Sequence, residues 1–430
     1  MEIAILALTF IILMALRTPI VWSIGIASLF TILLSVPSLP AVTTVAQRVV
    51  TGLDSTSLLA IPFFILAGHI MNKGGIASRL VAFARALVGS LPGGLAHVNI
   101  MAAMLFGAIA GSAGAAAAAI GSFMSDEMDK EGYGKGYGVA VNVTSATTGL
   151  LIPPSNIFII YSLASGGISI GALFLAGYVP GILTGLMLMT VAYVWARKKN
   201  YPTQPRASLQ TVFTTFLHAL PSLSLLIVVM GGIVAGIFTA TEASSVAVLY
   251  CLVLAFLYKE VEVKDLRAIL VESASTISVV MMLIAMSIAM SWVMSYENIP
   301  QMITAFLLDS DTSPLVALLL INVILLAVGI FMDMTPAVLI FTPIFLPVAT
   351  TLGIHPVHFG IIMVLNLCIG LCTPPVGAVL FIGVSVAKTS IQQVIRPLLP
   401  LFAAMLVALV LVSLFPELSL WLPKVFGFVE

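Results

Sequence analysis

What this chain has least of is charge. Only 8% of its 430 residues are Asp, Glu, Lys or Arg, against 61% hydrophobic, and the mean hydropathy is +1.20. No soluble core of that length needs such a composition, so the chain reads as a polytopic membrane protein. Seventeen basic and seventeen acidic residues cancel, which leaves no basic patch for nucleic acid. Cysteine is scarce as well. Cys251, Cys368 and Cys372 all sit in apolar runs; the last two lie one helical turn apart, but no further thiol or histidine is near enough in sequence to complete a metal set, and packing is their reading. A signal peptide is also missing from the pattern. The first apolar run starts Met1-Glu2 and is followed by Arg17, the reverse of a signal peptide's charge order, and is expected to stay in the mature protein.

What is present is a stretch that occurs twice: Gly149-Leu-Leu-Ile-Pro-Pro-Ser-Asn156 and Gly370-Leu-Cys-Thr-Pro-Pro-Val-Gly377. A double proline removes backbone donors and clashes with the preceding turn, so each apolar helix must stop and restart there. Carbonyls freed in lipid have no water partner, so such a break must face protein or a cavity. Paired broken helices at matching places point to a transporter binding site.

Simple apolar runs fall at 3–16, 20–37, 57–72, 171–195, 216–237, 243–258, 272–294 and 396–416. Two regions differ. After Leu95–Ile109 comes Ala110-Gly-Ser-Ala-Gly114, and the apolar part from Ala115 to Ser125 is about 16 Å long as a helix, against a hydrocarbon core of about 30 Å. A re-entrant hairpin with its tip at Gly111–Gly114 resolves the mismatch. In the second half, Leu315–Gly329 leads to Met332-Asp-Met-Thr-Pro336 and a rising segment to Thr350, followed by the polar Gly353–His358.

The two halves overlay at an offset of 221 to 223 residues: Thr18 on Thr241, Ile76 on Ile299, Gly107 on Gly329, Gly111 on Asp333, Ala113 on Thr335, Gly149 on Gly370 and Pro153-Pro154 on Pro374-Pro375. This predicts an all-α protein of two repeats. The first covers 1–196, with scaffold helices at 1–90, hairpin and broken helix at 91–168 and a closing span at 171–196. A linker at 197–215 precedes the second repeat, 216–430, with scaffold helices at 216–311, hairpin and broken helix at 312–388 and a closing span at 396–416. With the linker in the cytoplasm, fifteen of the seventeen Lys and Arg fall inside, only Arg48 and Lys424 fall outside, and the loop holding Glu297, Asp309 and Asp311 is external. Both termini are then external and the repeats are inverted, as in a secondary transporter. Short amphipathic segments at Ile76–Val88 and Ile299–Leu308 read either as interfacial braces or as ordinary connections.

Two tips meeting two broken helices bring half-helix ends to the midplane. N-terminal ends suit a substrate carboxylate; C-terminal ends with unwound carbonyls suit Na⁺. The candidate oxygens are hard ligands fit for an alkali cation. They come from Ser112 with glycine backbone at the first tip, Ser155 and Asn156 at the first break, and Ser145, Thr147 and Thr148 before it. The second half offers Asp333 and Thr335 at the tip, Thr373 and Gly377 at the break, and Asn366 upstream. Substrate is assigned to Ser112, Ser155, Asn156, Asp333 and Thr335; Na⁺ is assigned to Gly111, Ser112, Thr148, Ile152, Asp333, Thr335, Gly370, Thr373 and Gly377. Asp333 is the leading candidate, an ionisable group in an apolar run; its competing reading is a helix cap. Glu242 reads as a cap for the next helix, and Arg48 as a snorkelling surface residue. His69, His97 and His218 read as packing or interface residues, and the Asn142-Val-Thr144 sequon as chance within a span. An enzyme reading of Gly111–Gly114 as a serine turn lacks a base. A channel or a proton-coupled carrier is the alternative on the same architecture.

Leu58-Leu-Ala-Ile-Pro-Phe-Phe-Ile-Leu-Ala-Gly68, Ile237-Phe-Thr-Ala-Thr-Glu-Ala243, IPPS at 152–155 and TPPVG at 373–377 carry a resemblance. Over essentially its full length the chain is similar to the large membrane subunit of tripartite ATP-independent periplasmic (TRAP) transporters, the DctM-type permease of the ion-transporter superfamily. The resemblance implies an elevator carrier in a bacterial inner membrane, driven by Na⁺ rather than ATP. It also implies a separate small four-helix membrane subunit, a periplasmic substrate-binding protein and a small organic acid, such as a C4-dicarboxylate or a sialic or other sugar acid. It places Na⁺ and substrate at Gly111–Gly114, Ile152–Asn156, Met332–Pro336 and Thr373–Gly377. Ala113 and Gly114 stand where many relatives carry a second hydroxyl, which shifts the first site toward backbone ligation.

Overall fold

A computed structural model describes residues 2–201, 203–308 and 314–429. Met1, Pro202 of the linker, Asp309, Asp311 and Glu430 lie outside the described residues. Among the described residues all regular structure is helical. In chain order the first half holds α1 (Glu2–Ala15), α2 (Ile20–Ile32), α3 (Ser38–Thr51), α4 (Ala60–Lys73, led in by a 3-10 turn at Thr56–Leu59), α5 (Ile76–Val88), α6 (Gly94–Ala110), α7 (Ala113–Lys130), α8 (Lys135–Thr148), α9 (Asn156–Ala164) and α10 (Ile170–Lys199). The second half holds α11 (Leu209–Val234), α12 (Ala240–Leu257), α13 (Val263–Tyr296), α14 (Ile299–Leu308), α15 (Pro314–Phe331), α16 (Met334–Thr351), α17 (Pro356–Leu371), α18 (Ala378–Val386), α19 (Ile391–Leu414) and α20 (Glu417–Val425).

Among the described residues eight helical segments are long and apolar enough to cross a membrane: Thr56–Lys73, α10, α11, α12, α13, α15, α16 and α19. Six of them match simple runs read from the sequence, at 57–72, 171–195, 216–237, 243–258, 272–294 and 396–416, while α15 and α16 stand in place of the runs at 3–16 and 20–37. The run at 20–37 is helical only to Ile32, and Pro37 is the N-cap of a separate helix, α3. α1 and α2, at 14 and 13 residues, are about 20 Å long and fall short of a 30 Å core on their own. α7 runs on through Asp126–Lys130 to 18 residues, about 27 Å rather than 16 Å, because a charged last turn does not end a helix that leaves the apolar layer. α10 runs to Lys199, and Ser208 accepts from the Thr211 amide to start α11 at Leu209.

The centre of the molecule is α8 and α17. Every residue from Tyr137 to Thr148 and from Val357 to Leu371 is buried. α8 tolerates this with so many hydroxyls because they bond back to their own helix: Thr144 donates to Ala140 O at 2.8 Å and Thr148 to Thr144 O at 2.9 Å. Cys368 donates to Thr147 O at 3.2 Å, and the Cys372 thiol meets the Thr147 hydroxyl at 3.2 Å, so the two cysteines knit α17 to α8. Around this pair the halves interdigitate. α9, after the first break, packs on α16, while α18, after the second, packs on α7. Outward-facing Leu8, Ile11, Phe213, Ile227, Leu249 and Leu399 are exposed, an apolar perimeter suited to hydrocarbon.

Two backbone crossings hold each hairpin to its broken helix. A Cβ on Gly149 would lie 2.8 Å from Gly107 Cα, and one on Gly370 would lie 2.5 Å from Gly329 Cα. Only glycine permits approach that close.

Candidate functional site

The site is built from four helix ends. α6 stops at Ala110, Gly111 takes φ +60°, and Ser112 caps α7, its Oγ accepting from the Ala115 amide at 3.3 Å. The tip is therefore two residues, Gly111-Ser112, shorter than the sequence suggests, because the serine cap draws Ala113 and Gly114 into the helix. The second tip is Met332-Asp333, with Asp333 at the N-cap position of α16. Its carboxylate lies beside the Met334 and Thr335 amides without closing a capping hydrogen bond. Cap and cavity residue are one position here. The caps put Ser112, not Gly111, in register with Asp333, so the tip overlay shifts by one residue.

The breaks lie where the prolines place them. The Pro153-Pro154 and Pro374-Pro375 bonds are both cis. The α8 segment and α9 meet at 53° across 152–155, and α17 gives way to α18 across 372–377.

Tips and breaks converge on a cavity of about 270 Å³. Of the sequence-assigned residues it brings together Gly111, Ser112, Asn156, Asp333 and Thr335. Asp333 is exposed to it. The others stand behind that first layer. Ser155 is buried with its Oγ lacking a partner, and the neighbouring Asn156 Oδ1 is likewise unpartnered. Thr148 and Thr373 donate their hydroxyl protons to Thr144 O at 2.9 Å and Ile369 O at 2.7 Å, which leaves their oxygen lone pairs free. At Gly377, φ is +24°, and a Cβ there would sit 2.8 Å from Thr373 O and 3.0 Å from Leu371 O, so two carbonyls crowd onto that glycine. Gly370 is buried against Gly329 and contributes closeness rather than a surface. Ile152 ends the 3-10 turn at Gly149–Leu151, its amide bonded to Gly149 O at 3.2 Å.

The sequence reading missed the walls. Ile61 and Ile65 on α4, and Thr276 and Val280 on α13, complete the cavity from the other side. Nothing local marks them; they are ordinary members of apolar helices. Thr276 also borders a wider hollow lined by Lys264, Arg267 and Glu272. Glu272 is 3.7 Å from both His69 and Lys73 across α4 and α13.

Several other readings hold locally. Glu242 completes a capping box with Thr239 on α12. Asn142 is buried and donates to Ala117 O at 2.7 Å, inside the bundle. His97 is buried with Nε2 3.2 Å from Pro92 O, and Arg48 stacks over Trp292 at 5.1 Å.

The arrangement can present backbone N–H ends to an anion and carbonyl, hydroxyl and carboxylate oxygens to a cation, all at one small cavity. Comparison with known proteins agrees with a permease. Residues 7–418 match the family described as tripartite ATP-independent periplasmic transporter, DctM component. The chain is 54% identical to the uncharacterized protein YgiK of Salmonella typhimurium, over 97% of this chain and 96% of that one. It is 41% identical to the C4-dicarboxylate TRAP transporter large permease protein DctM of Pseudomonas aeruginosa, over 94% of each. The fold resembles the Alcanivorax borkumensis YdaH transporter, with TM-score 0.62 and 12% identity over 91% of this chain and 90% of that one. On the family match over nearly the whole chain, together with this helical fold, the protein belongs to the DctM family, the large permease component of tripartite ATP-independent periplasmic transporters.

Proposed function

We propose that this permease imports a small organic acid across a bacterial inner membrane, coupled to Na⁺ and delivered by a periplasmic binding protein. The observation that carries this reading is the meeting of two hairpin tips and two broken helices at one cavity. In lipid such unwound backbone is tolerated only against protein or a water-filled site, and its free polar groups are the natural ligands of the cargo.

In this reading Na⁺ is cargo. The first site would draw on Gly111, Ser112, Thr148 and Ile152, beside the unpartnered Ser155 Oγ and Asn156 Oδ1. The second would draw on Asp333, Thr335, Gly370, Thr373 and Gly377, where the Thr373 and Leu371 carbonyls converge. All are hard oxygen donors. The substrate carboxylate would meet the amide ends of α7 and α16, with Ser112, Ser155, Asn156, Asp333 and Thr335 around it. The equal lengths of α7 and α16, 18 residues each, and of α9 and α18, nine each, support two inverted repeats with their boundary in the linker at 197–215. The hairpins α6–α7 and α15–α16 with the broken helices would move as one body against a scaffold that includes α4 and α13. A small four-helix subunit would widen that scaffold, and both termini would be periplasmic.

The test is uptake into proteoliposomes holding this chain, the small subunit and the binding protein, with radiolabelled acids and with or without an inward Na⁺ gradient. Na⁺-dependent uptake that needs the binding protein supports the reading. Uptake that follows a proton gradient instead removes Na⁺ from it. Flux needing neither gradient nor binding protein makes the protein a channel.

A further inference from the structure

The walls of the cavity say more about the cargo than its tips do. Of nineteen lining residues, only Ser112, Asn156, Thr276, Asp333 and Thr335 have polar side chains. Four of these five, Ser112, Asn156, Asp333 and Thr335, sit at or next to the tips and the first break. The remaining side chains are apolar, with Ile61, Ile65, Ile157, Ile160, Val379 and Ile382 prominent among them. These residues are β-branched and restricted at χ1, and they offer no polar atom to water or to a polar group. Among the described residues no lysine, arginine or histidine lines the cavity, and the one charge is the carboxylate of Asp333. In the first turn of α7 a Cβ on Gly114 would lie 2.9 Å from Ile382 Cδ1. An isoleucine thus occupies the space into which a hydroxyl-bearing side chain at 114 would project. The volume, about 270 Å³, lies at or just below the lower end of the usual range for small-ligand pockets, about 300–1,000 Å³.

We propose that this cavity takes a compact monocarboxylate with an apolar body, a short or branched aliphatic acid with at most one small polar group beside the carboxylate. The proposal rests on the organic-acid reading above and narrows it. One carboxylate can be met by the helix amides, the tip hydroxyls and the co-transported cation. A second carboxylate would lie against isoleucine with no countercharge. The hydroxyls of a sugar acid would lose their water without gaining partners, and buried polar groups left unpaired are selected against. An aliphatic body meets neither penalty and buries apolar surface against the walls.

The test uses the purified permease with its small subunit in detergent, without the binding protein, so that selection by that protein does not enter. Melting temperature is followed in NaCl and in choline chloride against isovalerate and 4-methyl-2-oxopentanoate, succinate and malate, gluconate and N-acetylneuraminate. The expected result is Na⁺-dependent stabilisation by the two apolar acids, half-maximal at concentrations at least tenfold lower than for the other four. Equal or stronger stabilisation by succinate, malate, gluconate or N-acetylneuraminate overturns the proposal and leaves the organic-acid reading standing. No stabilisation by any acid overturns both. The variant Ile160→Thr, which keeps the β-branch and adds a hydroxyl to the wall, is expected to reduce the preference for isovalerate over gluconate at least threefold. An unchanged ratio in a variant with an unchanged melting temperature shows that this wall does not select, and also overturns the proposal.

Discussion

Gly370 and Gly231 are both helix residues, yet they do opposite work. A methyl group on Gly370 would sit 2.5 to 2.9 Å from the Cα, C and O of Gly329, all backbone, while around Gly231 nothing lies within 4 Å. Backbone cannot yield as the tip of a side chain can, so Gly370→Ala must push α17 off α15. The expected cost is about 1–3 kcal/mol, as for overpacking elsewhere, read as a lower melting temperature in detergent. Gly231→Ala should leave it unchanged or raise it slightly, since alanine is the better helix former by up to about 1 kcal/mol. Equal behaviour of the two variants would mean the Gly329–Gly370 crossing is not tight. Asp333 permits a second prediction at this scale. It holds the N-cap position without a capping hydrogen bond, so Asp333→Asn, another good cap residue, is expected to keep the melting temperature. It should weaken the Na⁺ dependence of uptake at least tenfold by removing the charge. If Na⁺ dependence survives intact, Asp333 serves only the helix. Such single residues were legible where local chemistry isolates them: a carboxylate in an apolar run, two double prolines. Ile61 and Thr276 were not legible, because nothing within α4 or α13 distinguishes a wall residue from its neighbours; only the packing of distant helices does.

At the scale of the element, the amphipathic pattern over 76–88 and 299–308 gives α5 and α14 with the boundaries read from the sequence. What α5 does depends on its partner, which the sequence does not name. Arg85 of α5 reaches Glu127 of α7 at 2.5 Å, both side chains about one-third exposed (36% and 34%). The pair is a direct polar tie between α5 and the first hairpin. Being half-wet, it is worth at most about 1 kcal/mol to stability. Glu127→Gln is therefore expected to change the melting temperature little. A double-mutant cycle with Arg85→Gln should return a coupling of about 0.5–1 kcal/mol that fades with salt. A salt-insensitive coupling of several kcal/mol would mean that the pair is desolvated in the working protein. Tip lengths show the opposite limit of sequence reading. The glycines at 111 and 114 suggested a four-residue turn, but one serine cap at Ser112 was enough to take Ala113 and Gly114 into α7.

At the scale of the whole molecule the question is whether the cavity is carried between two sides or stands open as a pore. The natural cysteines make this testable with little engineering, because Cys251, Cys368 and Cys372 are all buried and unpaired. A membrane-impermeant maleimide should leave the native protein unlabelled, so any added thiol reports alone. Ser112 is exposed at the first tip and Thr276 is exposed on α13, on opposite sides of the same cavity. In the proposed elevator Ser112 travels with the hairpins while Thr276 stays with the scaffold. Ser112→Cys in oriented vesicles should then change the side from which it is labelled when Na⁺ and substrate conditions shift the population between end states. Thr276→Cys should keep its side and change only in rate, as the cavity opens toward or away from it. A fixed pore makes a different prediction, because water would reach Ser112→Cys from both sides at once under every condition. Labelling from one unchanging side under all conditions would exclude both a pore and a moving hairpin, and the interdigitation of α9 with α16 and α18 with α7 would then be the packing of a static bundle rather than the reason the two hairpins and two broken helices travel together.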